Sequence, residues 1–191
     1  MITDDAIVFI WIPLLVVVAL VQRRRKASLA RALGLLLLAT YLCQLAAVTL
    51  FPIPVGREVL ADMRKEQFLH NSFVPLKTVR DVLASPLAGD RYRQLGGNFL
   101  LLAPLTILLP ALWRKFQSPR AAFMVAAAFS LGIELTQLAI STAYGFTWKI
   151  FDVDDLWLNL LGAVFGYGVY AIIARIARTG FNLSLSDSWP L

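Results

Sequence analysis

Five long runs of apolar residues, separated by short charged segments, constrain the fold of this chain more than any other feature. A bilayer core about 30 Å thick is crossed by roughly 20 apolar residues in a helix. Of the 191 residues, 59% are hydrophobic and 16% are charged, and the charges lie mostly between the runs. We therefore predict an all-α, polytopic membrane bundle, with residues 1–191 as a single membrane domain. The predicted transmembrane helices are residues 6–22, 29–51, 95–113, 121–140 and 156–174.

The segments around these runs carry weaker signals. Pro104 and Pro110 lower the helix propensity of the third run, so neighbouring helices must satisfy the carbonyls that the prolines free. In the long loop after the second run, Val55, Val59 and Met63 recur at helical spacing and predict a short amphipathic helix at the membrane interface. Residues 78–83 are expected to form another helical turn or two. The C-terminal tail is left unassigned.

The order of charges predicts the orientation. Asp4 and Asp5 precede the first run and a basic cluster follows it, which is the reverse of a cleavable signal peptide. Lys and Arg gather on short cytoplasmic segments of membrane proteins. The short segments assigned to that side hold Arg23, Arg24, Arg25, Lys26, Arg31, Arg114, Lys115, Arg120, Arg175 and Arg178. We expect a multi-pass protein of the cell membrane with its N-terminus outside and its C-terminus in the cytoplasm.

The same topology explains the net charge of +6, so we expect no nucleic-acid partner. Cys43 is the only cysteine and lies in an apolar run, which excludes an intrachain disulfide. His70 is the only histidine, and one histidine among scattered loop acids matches no metal-ligand spacing. We interpret His70 as a solvated loop residue and expect neither a metal nor another cofactor.

Ionisable groups inside a membrane span are costly and indicate function by default. Glu134 lies about six residues, or roughly 9 Å at the rise of a helix, below the outer end of the fourth span. Gln137 follows three residues later and shares its helical face. The pair can serve as hydrogen-bonding contacts between helices or as part of a binding site.

A second polar group opens the fifth span. Asp152, Asp154 and Asp155 precede it, and Asn159 lies one turn inside, on the face of Asp155. Aspartate at a helix N-terminus caps free N–H groups, but one suffices for a cap. The remaining carboxylates favour a second interpretation, the binding of a cation or an amine.

Asn98 lies at a similar depth in the third span, so Asn98, Glu134, Gln137, Asp155 and Asn159 are expected to share one site near the outer face. Gly162, Gly166 and Gly168 give the fifth span a small face, which more often indicates close helix packing than ligand contact. The catalytic residues, if any, are unknown, because the sequence contains no nucleophile elbow and no zinc-protease motif.

An ordered set of motifs extends over residues 49–170. It consists of TLFP, N-x-x-x-P followed by Lys77 and Thr78, GNFLLLAPLTILLP, SLGIELTQ and FDVDDLWLNLLGAVFGY. In this order and spacing the chain resembles the VanZ-like family of bacterial membrane proteins, whose founding member is associated with reduced susceptibility to teicoplanin, a lipid-tailed glycopeptide. The chain departs from the family pattern at Leu76, Thr106 and Lys149, where Phe, Gly and Arg are usual.

The resemblance implies a polar core and an outer-loop motif. The core consists of Asn98, Glu134, Gln137, Asp152, Asp154, Asp155 and Asn159, and the loop motif of Asn71, Pro75, Lys77 and Thr78. The leading hypothesis is a cell-envelope membrane protein that binds an amphiphilic or lipid-linked wall component, or a glycopeptide antibiotic, at the outer leaflet. Its partners would be membrane lipids and that ligand. The alternatives are a membrane enzyme that modifies a lipid-linked envelope precursor and a small transporter.

Overall fold

The chain folds almost entirely into α-helices, as the sequence predicts. A computed structural model describes residues 2–65, 71–84 and 89–181, and the described residues form no strand. His70 lies outside the described residues. The helices are α1 (Val8–Arg24), α2 (Leu29–Leu50), α3 (Arg57–Lys65), α4 (Lys77–Ala84), α5 (Gly89–Leu101), α6 (Ala103–Leu112), α7 (Pro119–Tyr144) and α8 (Val153–Phe181). Single 3₁₀ turns precede α1 and follow α6.

Five segments are long and apolar enough to cross a membrane, which confirms the predicted fold class and suggests a multi-pass membrane protein. They are Asp5–Arg24, Leu29–Leu50, Arg93–Leu112, Pro119–Tyr144 and Val153–Thr179. The long loop between α2 and α5 is partly helical, as expected, since α3 and α4 lie within it. The name outer loop, which follows its expected side, is kept for this loop.

Local sequence signals account for several helix ends. The Ser28 hydroxyl accepts a hydrogen bond from the Arg31 N–H, and the Ser118 hydroxyl accepts one from the Ala121 N–H. Both serines thereby cap the exposed N–H groups of the helix that follows. Helix α7 ends at Gly145, whose φ of 70° is the left-handed conformation that glycine adopts without steric cost.

The third span is interrupted at Leu102, and the interruption divides it into α5 and α6. Pro104 causes it, because proline lacks the N–H that would continue the hydrogen-bond ladder and its ring clashes with the preceding turn. Next to this interruption, the Tyr41 hydroxyl of α2 donates to the Leu101 carbonyl at 2.8 Å. The Thr106 hydroxyl of α6 also donates to the Ala163 carbonyl of α8 at 2.8 Å.

Helix α8 is the centre of the bundle and packs against α5, α6 and α7. Two of its glycines make that packing possible. A Cβ atom at Gly162 would lie 1.5 Å from the Phe99 carbonyl oxygen, and one at Gly166 would lie 2.3 Å from the Ala103 carbonyl oxygen. A Cβ atom at Gly168 would contact nothing within 4 Å, so Gly168 does not belong to the close-packed face.

The two ends of the bundle differ. We call "loop end" the end at which α2 and α7 finish and α5 and α8 begin, together with the loops that connect them. The opposite end is where α1 finishes, α7 begins and α8 finishes, and it carries most of the basic residues listed above. The loop end holds the polar residues singled out from the sequence.

Candidate functional site

The three aspartates before α8 have three different environments. Asp152 is 3% exposed and acts as the cap of α8, because its Oδ1 accepts the Asp154 N–H at 2.9 Å. Its Oδ2 accepts the Thr78 hydroxyl of the outer loop. The Asp152 N–H donates to Glu134 Oε2 at 3.3 Å, which ties the start of α8 to the buried glutamate of α7. Asp152 therefore serves as the expected cap and also joins three segments.

Asp154 caps a different helix. Its carboxylate is 1% exposed and accepts hydrogen bonds from the N–H groups of Leu76, Thr78 and Val79, the last two at 2.8 and 3.2 Å. These groups are free N–H donors at the start of α4. Leu76, which precedes α4, has an apolar side chain that cannot cap them. A carboxylate from α8 thus supplies the cap and fixes α4 on the bundle.

The outer-loop motif completes this attachment. The Asn71 Oδ1 accepts the Phe151 N–H at 3.0 Å, and Ser72 forms an isolated parallel bridge with Asp152. Thr78 contacts both Asp152 and Asp154, whereas Pro75 and Lys77 are exposed. The motif positions the outer loop across the start of α8, and Asn71 and Thr78 make the contacts.

A cleft of about 450 Å³ opens beside these contacts at the loop end. Its walls come from the end of α2, most of α5, the second half of α7 and the start of α8. The polar residues that line it are Thr49, Arg93, Gln94, Asn98, Glu134, Gln137, Lys149, Asp155 and Asn159. The structure therefore places all five residues expected to share a site on one cleft, while Asp152 and Asp154 lie behind it and hold the loop.

Three buried polar atoms that face this cleft have no hydrogen-bond partner: Asn98 Nδ2, Asp155 Oδ1 and Asn159 Oδ1. The Asn98 amide lies beside the Asp155 carboxylate but makes no hydrogen bond of normal geometry with it. Leaving a buried polar atom without a partner costs about 1–3 kcal/mol. The cleft thus presents two acceptors and one donor that a bound molecule could satisfy.

The amide nitrogens of Gln137 and Asn159 have hydrogen-bond partners within the protein. The Gln137 Nε2 donates to the Thr49 carbonyl at 2.8 Å and joins α7 to the end of α2. The Asn159 Nδ2 donates to the Ser130 hydroxyl at 3.1 Å. Glu134 is 2% exposed, and its carboxylate lies near enough to Asp155 and Asp152 for electrostatic repulsion. A hydrogen-donating or positively charged group between Glu134 and Asp155 would relieve that repulsion.

Two cations line the rim of the cleft. Arg93 is exposed, and the Lys149 ammonium donates to the Val48 carbonyl at 3.2 Å and lies 5.5 Å from the centre of the Trp148 ring. Burial lowers the pKa of Lys149, because desolvation disfavours its charged form. An anionic group at the same place would restore that charge. The cleft is therefore basic at its rim and rich in acceptors on its floor.

On the side of α2 and α5, the cleft is lined by residues that are exposed at the surface of the bundle, and we take this side as its opening. Val48, on its edge, is 66% exposed, and Gly97 on the facing helix is exposed as well. Deeper in the span the Tyr41 hydroxyl joins α2 to Leu101, which closes the gap below. An apolar chain attached to a bound headgroup could leave the cleft through this opening.

Two residues of the site were not expected from the sequence. They are Arg93 at the rim of the cleft and Ser130, which accepts the hydrogen bond from Asn159. Ser130 lies four residues before Glu134 and so on the same face of α7. Among the described residues, no group of three or more His, Cys, Asp or Glu side chains is arranged to hold a metal ion.

The chain matches the VanZ/LLP1 family model over residues 38–174, which is well over half of its length. This match includes every motif that carries the resemblance from residue 49 to residue 170. The chain therefore belongs to the VanZ/LLP1 family, a class of multi-helix membrane proteins. No curated protein and no solved structure gives a significant match.

Proposed function

We propose that this protein is a cell-envelope membrane protein that binds the headgroup of an amphiphile in the loop-end cleft. The observation that carries the proposal is the set of three unpartnered buried polar atoms that α5 and α8 contribute to one cleft. A bundle of this size has no structural need to leave them unpaired together, and a ligand that pairs them would recover much of their desolvation cost.

The unpartnered atoms and the basic residues of the cleft indicate which chemical groups its ligand should carry. The oxygens of Asp155 and Asn159 require hydrogen-bond donors, such as sugar hydroxyls or an amine, and Asn98 Nδ2 requires an acceptor. Arg93 and Lys149 at the rim favour an anionic group, since both pair readily with phosphate. A lipid-linked wall precursor offers all of these groups on one molecule, and teicoplanin is the other candidate. The opening at Val48 accommodates the tail of either one.

We also propose an orientation for the protein in the membrane. The opposite end of the bundle carries the basic clusters at the ends of α1 and α8 and at the start of α7, which are typical of the cytoplasmic side. The loop end and its cleft would then face the outer leaflet of the cell membrane. A C-terminal reporter that is active only in the cytoplasm would support this orientation.

The test is a binding titration with the purified, detergent-solubilised protein. A lipid-linked wall precursor and teicoplanin are added separately, and binding is followed by tryptophan fluorescence. We expect Asp155→Asn to weaken binding of the true ligand on the order of tenfold or more, because a charge-assisted hydrogen bond is lost. Asn98→Ala should weaken it less.

The matched control is Thr136→Val in α7. The Thr136 hydroxyl is exposed and donates only to Gly132 of its own helix, so this variant should change the affinity less than about twofold. Asp155→Asn should keep the wild-type thermal stability, since Asp155 Oδ1 has no partner to lose. Equal affinities for wild type and Asp155→Asn would contradict the proposal. Chemical alteration of the precursor during the titration would favour the enzyme alternative instead.

A further inference from the structure

A second polar pocket lies at the opposite end of the bundle, far from the loop-end cleft. It has a volume of about 440 Å³ and is formed where the last turns of α8 face the connection before α7. Its polar lining consists of Gln117, Tyr167, Tyr170, Arg175, Arg178 and Thr179. Five of these lie on α8 at helical spacing, so one face of that helix forms most of the pocket.

The pocket contains an unpartnered hydrogen-bond donor of its own. Tyr170 is only 4% exposed, and its buried hydroxyl has no hydrogen bond of normal geometry. The Arg178 side chain lies close enough to donate to the Tyr170 oxygen, but a guanidinium cannot accept the hydroxyl proton. The neighbouring Tyr167 differs, because its hydroxyl donates to the Gln117 carbonyl. Buried tyrosine hydroxyls normally find a partner. The Tyr170 hydroxyl is thus a free donor inside a pocket that is open to the surface.

The charged residues that line the pocket are both basic. They are Arg175 and Arg178, and the Arg178 guanidinium lies close enough to the hydroxyls of Tyr167 and Tyr170 to interact electrostatically with them. No acidic side chain is among the lining residues that the structure describes. Basic residues in the last turn of a helix complement its dipole, but that role does not require a cavity or explain the free hydroxyl of Tyr170.

We propose that this pocket binds a phosphate group, carried either by a phospholipid headgroup or by a free anion. Guanidinium groups pair with phosphate oxygens through two parallel N–H donors, and a tyrosine hydroxyl adds a third. The site is independent of the loop-end cleft, and it remains if that cleft proves to bind nothing.

The experiment measures phosphate-group binding to the detergent-purified full chain by native mass spectrometry and by titration. One arm uses inorganic phosphate, and the other uses mixed micelles that contain phosphatidylglycerol. We expect Arg178→Gln to weaken binding on the order of tenfold, and Tyr170→Phe to weaken it several-fold. Tyr170→Phe keeps the ring and removes a hydroxyl that has no hydrogen bond of normal geometry, so its fold should be intact.

The matched control is Arg24→Gln, which removes an exposed charge from the end of α1 at the same end of the bundle. It should leave the affinity within about twofold of wild type, and so should the cleft variant Asp155→Asn. Saturable binding in the phosphate arm identifies a free anion, and binding in the lipid arm alone identifies a headgroup; both support the proposal. Binding in neither arm, equal losses in Arg24→Gln and Arg178→Gln, or unchanged binding in Tyr170→Phe would overturn it.

Discussion

Replacing Gly162 with alanine is expected to destabilise the bundle by about 3 kcal/mol, at the upper end of the usual cost of overpacking. The added Cβ atom would lie 1.5 Å from the carbonyl oxygen and 2.6 Å from the carbonyl carbon of Phe99. Because both are backbone atoms of α5, only a separation of α5 from α8 can relieve the clash. The same movement would displace Asn98, the residue before Phe99, and widen the loop-end cleft.

The control is the same substitution at Gly168 of the same helix. A Cβ atom there meets nothing within 4 Å, so Gly168→Ala should raise the stability by roughly 0.5–1 kcal/mol through helix propensity. Unfolding of both variants in detergent, followed by circular dichroism, provides the comparison. If both substitutions destabilised the protein equally, the close approach of α5 and α8 at Gly162 would be wrong.

The Asp154→Ala substitution is expected to release α4 from the bundle. It removes the only carboxylate that accepts the N–H groups of Leu76, Thr78 and Val79 in the described structure. Hydrogen bonds to a charged group contribute about 1.5–3 kcal/mol each, and because the three share one acceptor the combined loss should be about 3 kcal/mol. The loss is local, since α4 packs against the bundle mainly through its start and the buried Val82.

Hydrogen exchange measures this effect residue by residue. In Asp154→Ala the amides of Thr78 and Val79 should exchange on the order of a hundredfold faster, while amides in the middle of α8 keep their protection. Asp62→Ala is the control, because Asp62 is exposed and pairs only with Lys65 in its own short helix. It should leave exchange at Thr78 and Val79 unchanged. Unchanged exchange in Asp154→Ala as well would mean that another group holds α4.

The five spans could be predicted because hydropathy acts over whole segments. The shared face of Glu134 and Gln137 could be predicted as well, because their spacing of three residues fixes it. The different hydrogen-bonding roles of Asp152, Asp154 and Asp155 could not be predicted, because the partners of Asp154 lie 75 to 78 residues away in the chain. Only the folded path of the outer loop decides which of these three closely spaced carboxylates faces α4, and which faces the cleft.

The rim of the cleft and the second pocket could not be predicted from the sequence, for a different reason. Arg93, Arg175 and Arg178 lie near the ends of apolar helices, where basic residues are common as interfacial anchors. Tyr170 likewise has the character of an interfacial aromatic residue. A linear pattern cannot distinguish such anchors from ligand-binding residues, because the difference lies in which neighbouring helix leaves their polar atoms without a partner.

The central claim is that the loop-end cleft holds the headgroup of an amphiphile, and photocrosslinking tests it most directly. A photoreactive residue replaces Val48, at the opening of the cleft, or Leu135, which is 49% exposed and follows Glu134 in α7 outside the cleft. The purified proteins are irradiated with a lipid-linked wall precursor. We predict capture at position 48, a strong decrease when Asp155→Asn is added, and little capture at position 135. Equal capture at both positions, or capture at position 48 that Asp155→Asn leaves unchanged, would contradict the account.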